Sequence, residues 1–262
     1  VALEIDLSGR VVLVTGGVRG VGAGVSRVLL SAGATVVACA RRPADTAVEY
    51  QGRAVEFLPC DVRDADAVQT MIDTIVERHG RLDHLVNNAG GAPFALAAEA
   101  SKNFHAKIVE LNLLAPLLVA QRANVVMQTQ PDGGSIVNIS SVSGHRPSPG
   151  TAAYGAAKAG VDSLTSSLAV EWAPKVRVNS LVAGAVETEL SELHYGDADG
   201  VAAVGRTIPL GRLARPEDIG RSVAFLLSPL ASYVSGATLQ LHGGGERPAF
   251  LDAGNAENAG QV

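Results

Sequence analysis

Strand-length apolar runs recur along the chain with helical segments between them, and they predict an α/β fold: a single-domain, Rossmann-type, doubly wound parallel sheet of seven strands. Two further observations point the same way. The runs are rich in Val, Leu and Ile and mostly do not alternate, which implies burial on both faces and so a parallel sheet under helices. A glycine turn follows the first run and opens a helix.

The runs, in order, are RVVLVTG (10–16), ATVVACA (34–40), AVEFLPC (54–60), LDHLVNN (82–88), GSIVNIS (134–140), VRVNSLV (176–182) and ATLQLHG (237–243). Between the third and fourth, Gly80 falls where a helix stops, behind Arg78 and His79 in its last turn. A further helix is expected from near Thr151, and another from the PEDIG segment. Two regions break the rhythm. Residues 187–215 form a long insertion after the sixth strand, read as a substrate lid because open α/β sheets bind ligands at strand carboxyl ends. The tail, 246–262, has no clear period and is read as an oligomer contact or a frayed end.

Composition excludes several functions. The 262 residues are 47% hydrophobic, include 29 glycines and carry a formal charge of −5, which suits one domain of ordinary core size. Basic residues do not cluster beyond Arg41 and Arg42 and aromatics are few, so no nucleic-acid partner is expected. No apolar run reaches the roughly 18 residues of a membrane span. The first residues lack a basic start or an apolar secretory stretch, and a cytoplasmic protein is expected. Cys39 and Cys60 show no metal-ligand spacing and read as small buried hydrophobes.

The glycine turn is TGGVRGVGAG, with Gly16, Gly20 and Gly22 in a G-x-x-x-G-x-G spacing. Such a turn lets backbone approach a pyrophosphate at the positive end of a helix. An NAD site would set an acid about 20 residues further on to accept from the ribose hydroxyl. That position, near Ala40, holds no acid; Arg41 and Arg42 follow it, and Arg19 sits inside the turn. Guanidinium groups match a 2′-phosphate with charge-assisted bonds, so NADP(H) is the expected cofactor.

The chemistry is sought in NISSVSGHRPSPGTAAYGAAKAG, residues 138–160. Tyr154 and Lys158 lie four apart on a helix, so they share a face. A nearby ammonium lowers a phenol's pKa, which lets tyrosine act as acid or base near neutrality.

With Thr15-Gly16-x-x-x-Gly20-x-Gly22, Asn87-Asn88-Ala89-Gly90, Ser141 and Tyr154-x-x-x-Lys158 in this order, the chain resembles the short-chain dehydrogenase/reductase family from about residue 8 to 245. Its general course looks most like the 3-oxoacyl thioester reductase branch. The resemblance implies that Tyr154 protonates a nascent alkoxide or deprotonates an alcohol, and that Ser141 polarises the carbonyl. Ser140 and Ser143 compete for that role, and the family spacing selects Ser141. Lys158 would hold the nicotinamide ribose and lower the tyrosine pKa, and Asn112 would support a water-linked proton relay. Pro116, four residues on, has no N–H for the Asn112 carbonyl; a helix kink that frees this carbonyl for the relay is expected.

For the cofactor, the resemblance implies contacts from Gly16, Val18, Arg19, Gly20 and Val21 at the turn. Arg41 would grip the 2′-phosphate with Arg19 approaching, and Arg42 would stack or stay in solvent. Asp61 would meet the adenine amino group beside Val62, with Asn88, Ala89 and Gly90 against the adenosine ribose, while Asn87 is read as structural. Tyr154, Lys158, the Val186 backbone and the Thr188 hydroxyl would line the nicotinamide side. Two positions depart from the family: Ala183-Gly184 replaces Pro-Gly, and His242 stands where an acid or amide is common, read as a strand-end or interface residue.

The function expected is NADP(H)-dependent hydride transfer between a carbonyl and a secondary alcohol, as reduction of a ketone such as a 3-oxoacyl thioester. A steroid-like or acyl-CoA ring ketone stays open as substrate, because Leu190, Leu193, Tyr195, Val201, Val204 and Ile208 give the insertion an apolar covering that serves equally as interface core. A non-catalytic NADP-binding sensor is the alternative from another class. The family resemblance implies a homodimer or homotetramer.

Overall fold

The computed structural model of the protein describes residues 4–248 and 250. Its central sheet comprises β1 (Val11–Thr15), β2 (Thr35–Ala40), β3 (Glu56–Pro59), β4 (His84–Asn87), β5 (Gly134–Ser141), β6 (Val176–Ala183) and β7 (Thr238–Leu241). Each falls on one of the apolar runs. The strands are parallel throughout, in the order 3-2-1-4-5-6-7. Strand order therefore reverses between β1 and β4, the switch point at which open α/β sheets bind ligands.

The helices are α1 (Gly20–Ser31), α2 (Ala65–His79), α3 (Lys102–Val109), α4 (Ala115–Thr129), α5 (Ala152–Glu171), α6 (Ser191–Tyr195), α7 (Ala198–Thr207) and α8 (Pro216–Leu227). Alternate residues of β1 feed two cores. Leu13 packs with Val37, Ile72 and Val119 under α2 and α4, while Val12 and Val14 pack with Val25, Leu29 and Ile219 under α1 and α8. Burying each such Val or Leu contributes about 1.5–3 kcal/mol, which is why the strands read as unbroken apolar runs.

Local signals set the helix ends. Asp64 caps α2 by accepting from the N–H groups of Asp66 and Ala67, and Gly80 closes it at φ 72°. Where α1 meets α8, a Cβ on Gly24 would stand 2.2 Å from the Pro216 Cβ, so only glycine permits this approach. Cys39 and Cys60 are buried, as expected.

Three features differ from the sequence expectation. A two-stranded hairpin, Glu49–Tyr50 with Arg53–Ala54, turns through Gln51 and Gly52 at positive φ and precedes β3, which starts only at Glu56. Two residues per strand are too few to leave a periodic signal. The 187–215 insertion is partly helical, containing α6 and α7. Around Pro116 the helix does not simply kink: a π-helical turn, Glu110–Leu114, joins α3 to α4, with the Ala115 N–H reaching back five residues to the Glu110 carbonyl. Proline's missing N–H makes the wider turn affordable there. Among the described residues no helix is long and apolar enough to cross a membrane.

Candidate active site

A cleft of about 1120 Å³ opens at the carboxyl ends of the strands. It is lined by Gly16, Val18, Arg19, Gly20, Val21, Arg41, Arg42, Asp61, Val62, Asn88, Ala89, Gly90, Ser141, Tyr154, Lys158, Val186 and Thr188. Of the site residues read from sequence, Asn112 alone lies outside this lining, beneath Gly90. Gly16 (φ 65°) and Gly20 (φ 50°) adopt backbone that L side chains rarely take, and a Cβ on Gly22 would fall 2.1 Å from the Gly16 carbonyl oxygen. The turn is thus bare backbone at the amino end of a 12-residue helix, a cradle that suits a pyrophosphate. Arg19, Arg41 and Arg42 are exposed beside it, and among the described residues none has a carboxylate within ion-pair distance.

Strand β4 anchors this turn. Thr15 Oγ1 accepts from the N–H groups of Asn88 and Ala89, and Asn88 Nδ2 donates to the Thr15 and Gly16 carbonyls at 2.9 and 3.3 Å. The Asn88 side chain is therefore committed to the turn rather than presented to a ribose. Asn87 is structural, its amide donating to the Pro116 carbonyl and to Asn138 Oδ1. Val186 bridges to Ala214, and Thr188 folds over Gly20, with its hydroxyl accepting from the Leu190 N–H.

Ser141 ends β5 and Tyr154 and Lys158 lie in the first turns of α5, so sheet and helix bring all three together. The Ser141 hydroxyl hydrogen-bonds the Tyr154 phenol, and the Lys158 ammonium lies 5.6 Å from the tyrosine ring centroid. Lys158 is buried and donates to the Ile139 carbonyl at 2.7 Å. Burial pulls its pKa down to about 8, and the Asp162 carboxylate pulls the other way. Asn112 is fully buried. Its Oδ1 accepts from the Gly91 N–H, and its Nδ2 donates to the Gly91 and Ile108 carbonyls. A Cβ on Gly90 would lie 2.7 Å from Asn112 Oδ1 and 3.5 Å from Lys158 Nζ, so these two side chains meet where only glycine fits.

Two expectations are corrected. The phenol of Tyr154 has its pKa raised, not lowered: burial dominates, and the Ser141 hydrogen bond only partly opposes it. Lys158 Nζ lies 5.6 Å from the ring centroid and gives an N–H to Ile139, and burial rather than its field sets the direction of the shift. Asp61 does not stand open to adenine. Arg63 takes both its oxygens, at 2.9 and 2.6 Å, and holds its carboxyl at about 2.

Arg63 also lines the cleft and was not singled out from sequence, although its spacing from Asp61 was visible. Asp162, one turn beyond Lys158, was missed as well. At the departures from the family pattern, His242 sits just past β7 with its Nδ1 buried and unpartnered, and it presses so close that a Cβ on Gly184 would lie 2.9 Å from its Cα.

The comparisons agree with this geometry. A family model described as enoyl-(acyl carrier protein) reductase matches residues 16–246. The chain is 35% identical to a 3-oxoacyl-(acyl-carrier-protein) reductase of Vibrio harveyi, over 92% of this chain and 98% of that protein. It is also 35% identical to 3beta-hydroxysteroid dehydrogenase 1 of Eggerthella lenta, over 91% and 94%. The ligand-free aldohexose dehydrogenase of Thermoplasma acidophilum superposes with a TM-score of 0.85 at 30% identity, covering 92% of this chain and 95% of that one. The chain belongs to the short-chain dehydrogenase/reductase family and is an oxidoreductase acting between CH–OH and C=O.

Proposed function

We propose that the protein is a cytoplasmic, NADP(H)-dependent oxidoreductase that reduces a ketone to a secondary alcohol, the ketone being a 3-oxoacyl thioester or a steroid-like or acyl-CoA ring ketone. One observation carries it. A single cleft contains three arginines with no carboxylate of the described residues within ion-pair distance, beside the glycine turn, together with Ser141, Tyr154 and Lys158. Bound NADP(H) supplies the hydride in reduction and takes it up in oxidation.

The backbone of Gly16, Val18, Gly20 and Val21 receives the pyrophosphate. Arg41, helped by Arg19, grips the 2′-phosphate, and Arg42 stacks or stays in solvent. Val62, the Asn88 backbone, Ala89 and Gly90 line the adenosine side beside the Asp61–Arg63 pair, and Val186 and Thr188 the nicotinamide side. Ser141 donates to the substrate oxygen and stabilises the charge that grows there. Tyr154 gives that oxygen its phenolic proton; a raised pKa keeps the phenol protonated at neutral pH, as a donor requires. Lys158 binds ribose hydroxyls and offsets the charge left on the phenolate, and the Asn112 turn supports proton replacement through water. Leu190 reaches the cleft from the insertion, which serves as an apolar lid. Association as a homodimer or homotetramer through α4 and α5 is supported by Val125 and Val170, 62% and 80% exposed.

A panel of ketones and acyl thioesters, assayed first with NADPH and then with NADH, tests the reading. NADPH oxidation with at least one ketone is expected, and Arg41→Asp should weaken NADPH about 10- to 100-fold while leaving NADH little changed. Equal losses for both cofactors would remove the 2′-phosphate assignment. Tight NADPH binding without oxidation across the panel would favour a sensor instead.

A further inference from the structure

Asp162 lies on α5 one turn beyond Lys158 and two beyond Tyr154, on the same stripe of the helix. Its side chain is only 11% exposed, yet three other segments converge on it. Ser180 of β6 donates its hydroxyl to Oδ1. Ser140 of β5 donates to Oδ2 at 2.9 Å, and His145 Nε2, from the loop between Ser141 and Tyr154, lies 2.9 Å from the same oxygen. Ser140 Oγ also lies 3.2 Å from the Lys158 carbonyl, and Lys158 Nζ holds the neighbouring Ile139 carbonyl. Residues 139 and 140, which lead directly into Ser141, are thus tied to α5 by Lys158 and Asp162 together.

A hydrogen-bonded carboxylate this deep stabilises strand packing, but its position does more than that. Lys158 is buried where its ammonium loses hydration, and the opposite charge that pulls its pKa back up comes from Asp162. Other groups around the pair are Tyr154 on the same helix, His145 from the loop, the hydroxyls of Ser140 and Ser180 from β5 and β6, and the Asn112 amide across Gly90. Among these groups of the described residues, His145 is the one further basic side chain.

We propose that Asp162 is a positioning residue of the active site: it is the anion that stabilises the buried Lys158 ammonium, and the common acceptor that fixes the Ser141 end of β5 against the helix carrying Tyr154. This rests on the carbonyl-reductase reading above.

The test is a titration of lysine side chains by NMR, using protein labelled at the lysine ε-carbon. The lysines of this sequence are Lys102, Lys107, Lys158 and Lys175, and the Lys158 signal is identified by its loss in Lys158→Met. In Asp162→Asn, which keeps the side-chain size, Lys158 should titrate about one pH unit lower, with the other lysines unmoved. The alkaline limb of NADPH-dependent ketone reduction should shift to lower pH by a similar amount. A lysine titration and pH limb that stay where they are in the folded variant would reduce Asp162 to a structural role and overturn the proposal. Should Asp162→Asn not fold, Asp162→Ser decides by the same two readouts: a Lys158 titration and an alkaline limb that both move to lower pH are expected, and neither moving overturns the proposal too. A shifted Lys158 titration with no ketone turned over by the native protein would keep the positioning and sink the reaction reading instead.

Discussion

The two ends of the central sheet treat charge in opposite ways. At the amino end, Asp83 is 1% exposed and accepts from the Val11 N–H, Arg10 and Arg81. Gln130 closes the same edge, accepting from the Leu82 N–H and donating to the Leu82 and Gly133 carbonyls. At the carboxyl end, Arg19, Arg41 and Arg42 stand exposed beside bare glycine backbone. One edge meets its charged groups with the chain's own partners and so contributes to stability; the other leaves donors facing a cleft and so can bind a ligand. Mutations at the two ends should therefore separate activity from stability.

The largest expected effect belongs to the open end. Tyr154→Phe removes the proposed proton donor and should lower turnover about 10²- to 10⁴-fold, while the melting temperature stays within a few degrees of the parent. NADPH oxidation and thermal unfolding, measured on the same preparation, check both halves. A large stability loss there would mean that the phenol is structural.

The closed end should give the converse. Asp83→Ala leaves Arg10, Arg81 and the Val11 N–H without their shared acceptor. Because the two guanidiniums are 36% and 37% exposed and so partly hydrated, a loss of about 3 kcal/mol is expected, the low end for breaking a buried ion pair. Urea unfolding measures it, and turnover per folded molecule should not change. A comparable fall in turnover per folded molecule would break the contrast between the two edges.

This division also explains what could be read in the sequence. The strands were legible because burial on both faces leaves continuous apolar runs, and the glycine turn because positive φ and close approach demand glycine. Ser141, Tyr154 and Lys158 were legible by spacing, since a strand end and two helical turns carry them. What the spacing hid was tertiary. Asp162 is one acid in a helix until Ser140, Ser180 and His145 converge from two strands and a loop. The Arg63 side chain turns back on Asp61, a local pairing that a family analogy with adenine obscured. The direction of the Tyr154 shift depends on burial, which no spacing reveals. Pro116 marked an irregular helix, but local spacing does not carry the form it takes, a π turn whose Asn112 amide bonds Gly91.

The smallest expected effect sharpens the contrast through pH. His84, beside Asp83 at the closed edge, is buried with Nδ1 unpartnered, and burial pulls its pKa from the ordinary 6.5 to about 4. The unfolded chain therefore binds a proton between pH 6.5 and 4 that the folded chain refuses, so stability falls as the pH drops through that window. Asp83 acts elsewhere. Burial alone would raise its carboxyl, but Arg81, the Val11 N–H and Arg10 outweigh it and hold the pKa below 3.8, so its contribution is lost only below that pH. Between pH 7 and 5.5 the imidazole acts without the carboxylate, and a fall of about 1 kcal/mol is expected from it. His84→Leu should remove that fall while leaving the more acidic transition of Asp83 in place, which urea midpoints at pH 7, 5.5 and 3.5 would resolve. If the variant keeps the full loss between pH 7 and 5.5, the proton is taken up at another site, and the closed edge is less completely satisfied than its hydrogen bonds imply.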